Sequence, residues 1–352
     1  EDLTTGGNNV IIGTETMKNA TDASDNVVIG KGAMEQNVTS NDNVVIGKSA
    51  GTGIGRDGTD TGSGYRTIAI GTYAGGGGGS LSIFIGYKSG YTAGSTAPYY
   101  RTGTNNTAVG AHALENVASG SNNIGLGYYA NSRTTTGDYN ISIGAEGYGS
   151  STGDHNILMG YRAMLTHHTL SKNIAIGHTT LYYVGAGGSG RNIAIGHEAM
   201  FGHSTSGAGS YNTGIGYRAL YEVGVGSYNV AIGDMAGFRI MSGSSNVLVG
   251  YEAGKYTTGS ANTFIGYNAG YGGLGNSFPY SSGQSNVAVG FESLKNFTTG
   301  GTNTAVGRGS LYALTTGTKS TAVGYLAGSA MTTAIGNTFI GHLAGYQSLA
   351  GY

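Results

Sequence analysis

The chain has 352 residues, a formal net charge of −1 and only 10% charged residues, so it lacks the basic surface that nucleic acid or an anionic membrane requires. Its 69 glycines follow no strict three-residue period, which excludes collagen, and the absence of cysteine excludes disulfides and thiolate metal sites. No apolar run approaches the roughly 18 residues that span a bilayer, and we predict no membrane insertion within this sequence.

A short repeat recurs along the whole chain. Each copy carries a glycine, here called the anchor, that follows an aliphatic residue. Ten of the eighteen intervals between anchors are 17 residues long, and this regularity predicts a single repeat domain over residues 1–352. In chain order the nineteen anchors are Gly13, Gly30, Gly47, Gly71, Gly86, Gly110, Gly127, Gly144, Gly160, Gly177, Gly196, Gly216, Gly233, Gly250, Gly266, Gly290, Gly307, Gly324 and Gly341.

Three intervals of 24 residues interrupt this spacing. They predict loop insertions near 51–66, 91–104 and 271–285, and the only two prolines, Pro98 and Pro279, lie in the second and third of them. Loops on a rigid scaffold commonly carry binding function, so these insertions are candidate recognition sites.

The position four residues before the anchor, here the asparagine column, is asparagine in sixteen of nineteen copies. If the turns stack, these amides lie side by side and can hydrogen-bond to one another or cap the turn. The members that we predict to form this structural ladder include Asn9, Asn26, Asn43, Asn106, Asn123, Asn140, Asn173, Asn192, Asn229 and Asn303.

The three residues between the asparagine and the anchor have the alternation of a short strand. We call the first and third of them the flanking columns and the second the middle column; the flanking residues share one face of a strand. We predict that the flanking face points inward, and that the middle column forms a second buried surface, such as a subunit interface. Flanking examples are Ile12, Val27, Ile29, Ile68, Ile141, Met159, Thr263, Thr338 and Ile340; middle examples are Ala69, Phe84, Ala108, Ser142, Ala175, Gly214, Phe264 and Phe339.

Together these columns predict an all-β fold, an elongated parallel β-solenoid or β-roll of about nineteen short repeats. One repeat is too small to fold alone, so neighbouring copies must stack. The small residues three positions after the anchor, here the small column, suit a narrow interior; Ala33, Ala113 and Ala327 are examples. At ~4.8 Å per turn, nineteen turns give a rod on the order of 90 Å long.

The repeat resembles two related groups of fibrous proteins. Asn-Thr-Ala-Val-Gly at 106–110, Asn-Ile-Ala-Ile-Gly at 173–177 and 192–196, and Tyr-Arg-Ala-Leu at 217–220 are similar to the head repeats of trimeric autotransporter adhesins and to the repeats of phage tail fibres and bacterial surface fibre proteins. The resemblance covers essentially the whole chain. It implies a left-handed β-roll and a homotrimer, although the repeats here are longer than in the adhesins and we identify no coiled-coil stalk within this sequence.

The carboxylates predict a solvated face and no catalytic site. Glu146 and Glu198 stand two residues after an anchor, in a position that also accepts Arg162 and Arg218. Such a column favours cross-turn ion pairs, whereas a glycosidase needs two carboxylates at a fixed separation. We therefore predict that the chain is not an enzyme and has no cofactor and no metal site.

The position directly after the anchor, here the aromatic column, is rich in tyrosine, and His178, His197 and His342 share it. One interpretation is a glycan-contact stripe, because pyranose faces pack on aromatic rings. The other is a structural role at a half-exposed strand site. The tyrosines of the candidate stripe are Tyr87, Tyr128, Tyr161, Tyr217, Tyr251, Tyr267 and Tyr325.

The expected function is a structural fibre or adhesin shaft, extracellular at a cell or virion surface, with itself and surface glycans as partners. The alternative is an extracellular filament subunit joined head to tail; we expect either this or a segment of a longer fibre protein. A polysaccharide-degrading tailspike needs an acid pair that we do not find. Ice binding needs an outward threonine array, whereas Thr263, Thr304 and Thr338 occupy a column that we assign inward.

Overall fold

The computed structural model describes residues 6–35, 39–52, 54, 65–76, 79–92, 103–147, 152–166, 169–185, 190–207, 209–273, 280–333 and 335–347. The chain divides into two compact units, Glu1–Lys172 and Asn173–Tyr352. Within the described ranges both units contain strands and turns but no helix.

The first unit is one parallel sheet of nine strands in chain order. Its strands are β1 Val10–Ile12, β2 Val27–Ile29, β3 Val44–Ile46, β4 Ile68–Ile70, β5 Ile83–Ile85, β6 Thr107–Val109, β7 Ile124–Leu126, β8 Ile141–Ile143 and β9 Ile157–Met159.

The second unit has a parallel sheet of ten such strands, and a small parallel pair formed by β11 Tyr183–Gly185 and β13 Gly202–Gly207. The strands of the larger sheet are β10 Ile174–Ile176, β12 Ile193–Ile195, β14 Thr213–Ile215, β15 Val230–Ile232, β16 Val247–Val249, β17 Thr263–Ile265, β18 Val287–Val289, β19 Thr304–Val306, β20 Thr321–Val323 and β21 Thr338–Ile340.

The predicted all-β parallel solenoid is confirmed. Each of the nineteen strands of the two large sheets ends directly before an anchor glycine. Paired strands align the same columns without slippage, as when Thr107 pairs with Ile124 and Val109 with Leu126. Backbone bonds between turns also occur outside the strands; Leu114 N–H donates to the Ala130 carbonyl at 3.0 Å.

The two faces of each strand are reversed relative to the prediction. In the strands of the two large sheets from β2 to β20 the middle residue is buried, and Val28, Ala108 and Phe264 are each 0% exposed. The flanking residues are half-buried or exposed instead, from Val27 in β2 to Ile340 in β21. The assignment of the flanking columns to the interior was therefore wrong. The middle column, predicted to form a second buried surface such as a subunit interface, is buried in the core of its own chain instead.

A narrow core explains this reversal. The interior of a turn is filled mainly from four positions: the middle column, the small column, the position after the small column, and the position seven residues after the anchor. In one turn these are Ala108, Ala113, Leu114 and Val117, each at most 1% exposed. An interior already filled in this way has no room for the two β-branched flanking columns, which would overpack it.

Large and small residues compensate within this core. Where the middle residue is Phe84, the position after the small column is Gly90, and a Cβ there would collide with the Phe84 ring. Phe264 and Gly270 repeat the pairing. Where the middle residue is Ala108, Leu114 fills the same space.

Sharp corners join the strands. In the turn around Gly110, which has φ 129°, three other residues adopt left-handed backbone: Asn105 at 58°, His112 at 60° and Leu114 at 50°. Non-glycine residues adopt this conformation at a cost of roughly 1–3 kcal/mol each, so stacking against the next turn must hold them there.

The asparagine column lies buried along one corner of the solenoid. Asn140 donates its backbone N–H to Asn123 Oδ1 at 2.9 Å and its Nδ2 to the same oxygen at 3.1 Å. Asn123 Nδ2 donates to the Gly137 carbonyl at 2.8 Å. The amides therefore connect consecutive turns and satisfy buried backbone groups, as polar atoms in a dry interior require.

The predicted insertions fall mostly outside the described residues. The segments 55–64 and 93–102 take up most of the ranges 51–66 and 91–104, and 274–279 takes up six of the fifteen residues 271–285, so the recognition role assigned to the insertions stays a prediction.

Candidate functional site

The outward face of each large sheet carries two parallel columns of β-branched and aliphatic residues. In the second unit Ile232 is 40% exposed, Ile265 39% and Val323 37%. Their immediate neighbours in the middle column, Ala231 and Phe264, are fully buried. Neighbouring strands are in register, so the outward residues form a continuous apolar surface within each unit.

The outward position of the flanking columns removes one argument against ice binding, namely that their threonines point into the core. Thr263 is half-buried and Thr338 is exposed, so the reasoning that placed threonine inward was wrong. Within the described strands, however, the longest threonine run is Thr304, Thr321 and Thr338. The outward face is therefore mainly aliphatic and lacks a regular threonine array.

The aromatic column borders this outward face, and in the second unit its rings stack on one another. Tyr251 and Tyr267 have centroids 5.0 Å apart with planes 13° from parallel, and Tyr267 and Phe291 lie 5.0 Å apart at 6°. Tyr325 stacks on His342 at 5.3 Å. Each stacked face is covered by its neighbour, so the ring edges are the exposed part of the run.

The remaining tyrosines of the candidate stripe make other contacts. Tyr87 and Tyr128 both meet the His112 ring edge to face, at 5.2 and 6.2 Å. Tyr161 and Tyr217 each lie beneath the guanidinium of the following arginine, at 4.8 and 5.0 Å. The column therefore varies along the chain, and only its second half forms ring stacks.

The predicted cross-turn ion pairs are present. Arg162 Nε lies 2.7 Å from Glu146 Oε2, and Arg218 Nε lies 2.6 Å from Glu198 Oε2. The hydrogen bond that Arg218 donates to the Glu198 carboxylate raises the pKa of Arg218 above its usual value. These pairs are partly exposed, so each contributes under about 1 kcal/mol.

A second aromatic column, five residues after the anchor, was missed from the sequence. Tyr182, Phe201, Tyr221 and Phe238 stack in succession at 5.2, 5.1 and 5.0 Å, with planes within 9° of parallel. Burial is the main cause that raises the pKa of the Tyr221 phenol. The signal was an aromatic residue at the same position in four consecutive copies.

A groove in the second unit lies along this second aromatic column, at Tyr312, Ser329 and Tyr346. The groove has a volume of about 770 Å³. Its polar and aromatic lining residues are Glu292, Arg308, Tyr312, Tyr325, Ser329, Tyr346 and Gln347. Ser329 occupies the second aromatic column between Tyr312 and Tyr346, so the column lacks a ring at that turn.

The comparisons with known proteins leave the family open. A scan against protein-family models gives no match, and a search of curated proteins gives no significant match. Within the described ranges no three histidine, aspartate or glutamate side chains cluster as a metal site requires. Across the same ranges, no helix has the length and apolar character needed to cross a membrane.

Proposed function

We propose that the chain is a structural fibre or adhesin shaft that acts as a homotrimer at a cell or virion surface. The observation that carries this proposal is the outward aliphatic face of the sheets. Ile232 and Ile265 project from a sheet whose other side is already packed, so burial in their own chain is unavailable to them.

The area of the outward aliphatic face is consistent with a protein–protein interface. Two columns over nine or ten strands amount to an apolar strip on the order of 400 Å² per unit, at the size where exposed patches become functional. Each unit therefore carries a strip of its own that is large enough to mark a protein–protein interaction site. The trimer number and the surface location come from the resemblance of the repeats.

Glycan contact is part of the proposal. The aromatic column lies beside the aliphatic face, with Tyr267 at 46% exposed and Tyr128 at 52%. Because both ring faces of Tyr267 are covered by its neighbours, its contact with a sugar would run through the ring edge and the hydroxyl, which can donate and accept a hydrogen bond.

The experiment is mass determination in solution combined with electron microscopy of the purified chain. Particles near three times 35.5 kDa are expected. A 35.5 kDa monomer at micromolar concentration would contradict the trimer. Long filaments with a regular axial repeat would instead support the head-to-tail subunit.

A further inference from the structure

We infer that the groove between Tyr312 and Tyr346 binds a pyranose sugar that carries a carboxylate. This inference rests on the proposed surface role and names the ligand class and the site. Three features of the groove support it: open ring faces, a cation without a carboxylate partner, and a small residue between the two rings.

The first feature is the gap in the second aromatic column. In the stack formed by Tyr182, Phe201 and Tyr221, each ring covers the next at about 5 Å, and no sugar can enter. At the groove, Ser329 replaces the ring and is 8% exposed. Backbone bonds keep this turn in the normal register, since Ala313 N–H donates to the Ser329 carbonyl at 3.1 Å.

The gap has a suitable width. Tyr312 and Tyr346 are two turns apart, so their positions lie about 10 Å from each other. Two van der Waals contacts of about 4 Å each then leave room for one six-membered ring between them. On its other side Tyr312 is covered by the Lys295 ammonium at 5.7 Å, so its free face is the one toward Ser329.

The second feature is the charge at the groove. Arg308 is exposed and lies over the rings of Phe291 and Tyr325 at 5.2 and 5.9 Å, and it forms no ion pair with any described residue. The Glu292 carboxylate on the same wall is neutralised by Lys295 at 2.6 Å. The groove therefore has one uncompensated positive charge.

A guanidinium with both aromatic contacts and free N–H groups is well suited to hold a planar carboxylate through two parallel hydrogen bonds. Gln347 and the Tyr325 hydroxyl add groups on the groove wall that can hydrogen-bond to sugar hydroxyls. A neutral sugar would leave Arg308 unused, so the arrangement favours a uronic acid over a neutral hexose.

The test measures binding to the full chain by titration calorimetry and saturation-transfer NMR. The probe is an oligomer of four galacturonic acid units, and the matched neutral probe is its methyl ester. We expect the acid form to bind at least about tenfold more tightly than the ester, because the ester removes the charge that Arg308 recognises.

Two variants probe the groove directly. Arg308→Gln should weaken binding of the acid probe about tenfold or more and reduce its preference over the ester. Ser329→Tyr should abolish binding of both probes while leaving the fold intact, because the added ring completes the stack as Phe201 does between Tyr182 and Tyr221.

Matched controls are Arg191→Gln and Tyr228→Ala, which alter an arginine and an exposed tyrosine elsewhere in the same unit. Neither should change binding more than about twofold. The inference is overturned if the acid probe does not bind, if the ester binds equally well, or if Arg308→Gln binds like the unaltered chain. A trimer that fails to bind would overturn this inference alone, whereas a monomer that binds would overturn only the trimer.

Discussion

At the anchor glycines, the backbone of one turn lies directly on the backbone of the next. A Cβ added to Gly110 would lie 2.5 Å from the Gly127 carbonyl oxygen. Gly110 also has φ 129°, which side chains rarely adopt. Two independent physical reasons, backbone conformation and stacking, therefore require glycine at this position.

These two reasons can be separated by comparing Gly110→Ala with Gly341→Ala. Gly341 has nearly the same φ, 125°, but nothing lies within 4 Å of an added Cβ. We expect Gly341→Ala to lower the free energy of unfolding by about 1–3 kcal/mol from backbone strain. Gly110→Ala should cost roughly 2–6 kcal/mol, because overpacking adds to that strain. Urea denaturation measures both; equal losses would mean that stacking contributes nothing.

The buried amide of Asn123 gives a second test at this scale. Replacement by alanine leaves the Asn140 N–H and the Gly137 carbonyl without their partner. We expect Asn123→Ala to lower the free energy of unfolding by about 2–4 kcal/mol.

Asn123→Ser is the matched control, because Ser82 accepts the Asn106 N–H at 3.1 Å in the natural chain. It should cost about half as much as the alanine change. Thermal or chemical unfolding compares the two, and a serine variant as unstable as the alanine variant would contradict the role given to the Oδ1 acceptor.

At the scale of the single turn, stability depends on how the inward columns share one narrow space. Phe84 opposes Gly90, and Ala108 opposes Leu114, so in these two turns a large residue in one column is matched by a small residue in the other. Interiors packed at this density tolerate exchanges that conserve volume and resist those that do not.

A volume-conserving exchange can be tested in the turn that contains Phe84 and Gly90. Phe84→Ala should lower the free energy of unfolding by about 3–5 kcal/mol through the cavity it leaves. Gly90→Leu alone should also destabilise the turn, since its side chain would enter the Phe84 ring. The double variant recreates the Ala108 and Leu114 pattern and should lie within about 1.5 kcal/mol of the natural chain. Additive losses in the double variant would contradict the shared core.

The same compensation shows why the inward face was assigned wrongly. A three-residue strand with apolar residues on both faces, such as β2 Val27–Ile29, has a period of two that marks the faces without saying which is buried. The informative signal was variance in size. The middle column ranges in size from Gly214 to Phe264, as positions in a shared interior can, whereas the flanking columns stay uniformly aliphatic or threonine.

At the scale of the whole molecule, the strands and the anchors could be predicted from the repeat spacing. Stacking requires the same types of residue at the same positions of every turn. The groove at Tyr312 could not be predicted in this way. It lies where Ser329 stands between two tyrosines, in a column recognised only once the rings were seen to stack. Departures from a repeat are therefore where a solenoid can gain a specific site.

The outward face leads to the last prediction, which compares two adjacent residues of β15. Ile232 is 40% exposed on the outward face, and Ala231 is fully buried. Ile232→Lys should leave the chain folded but dissociate the trimer, because a charge in an apolar interface lacks a partner. Ala231→Lys should unfold the turn instead, since the same charge would enter the core. Circular dichroism and light scattering distinguish these results; a trimer that survives Ile232→Lys would show that the subunits meet through another surface.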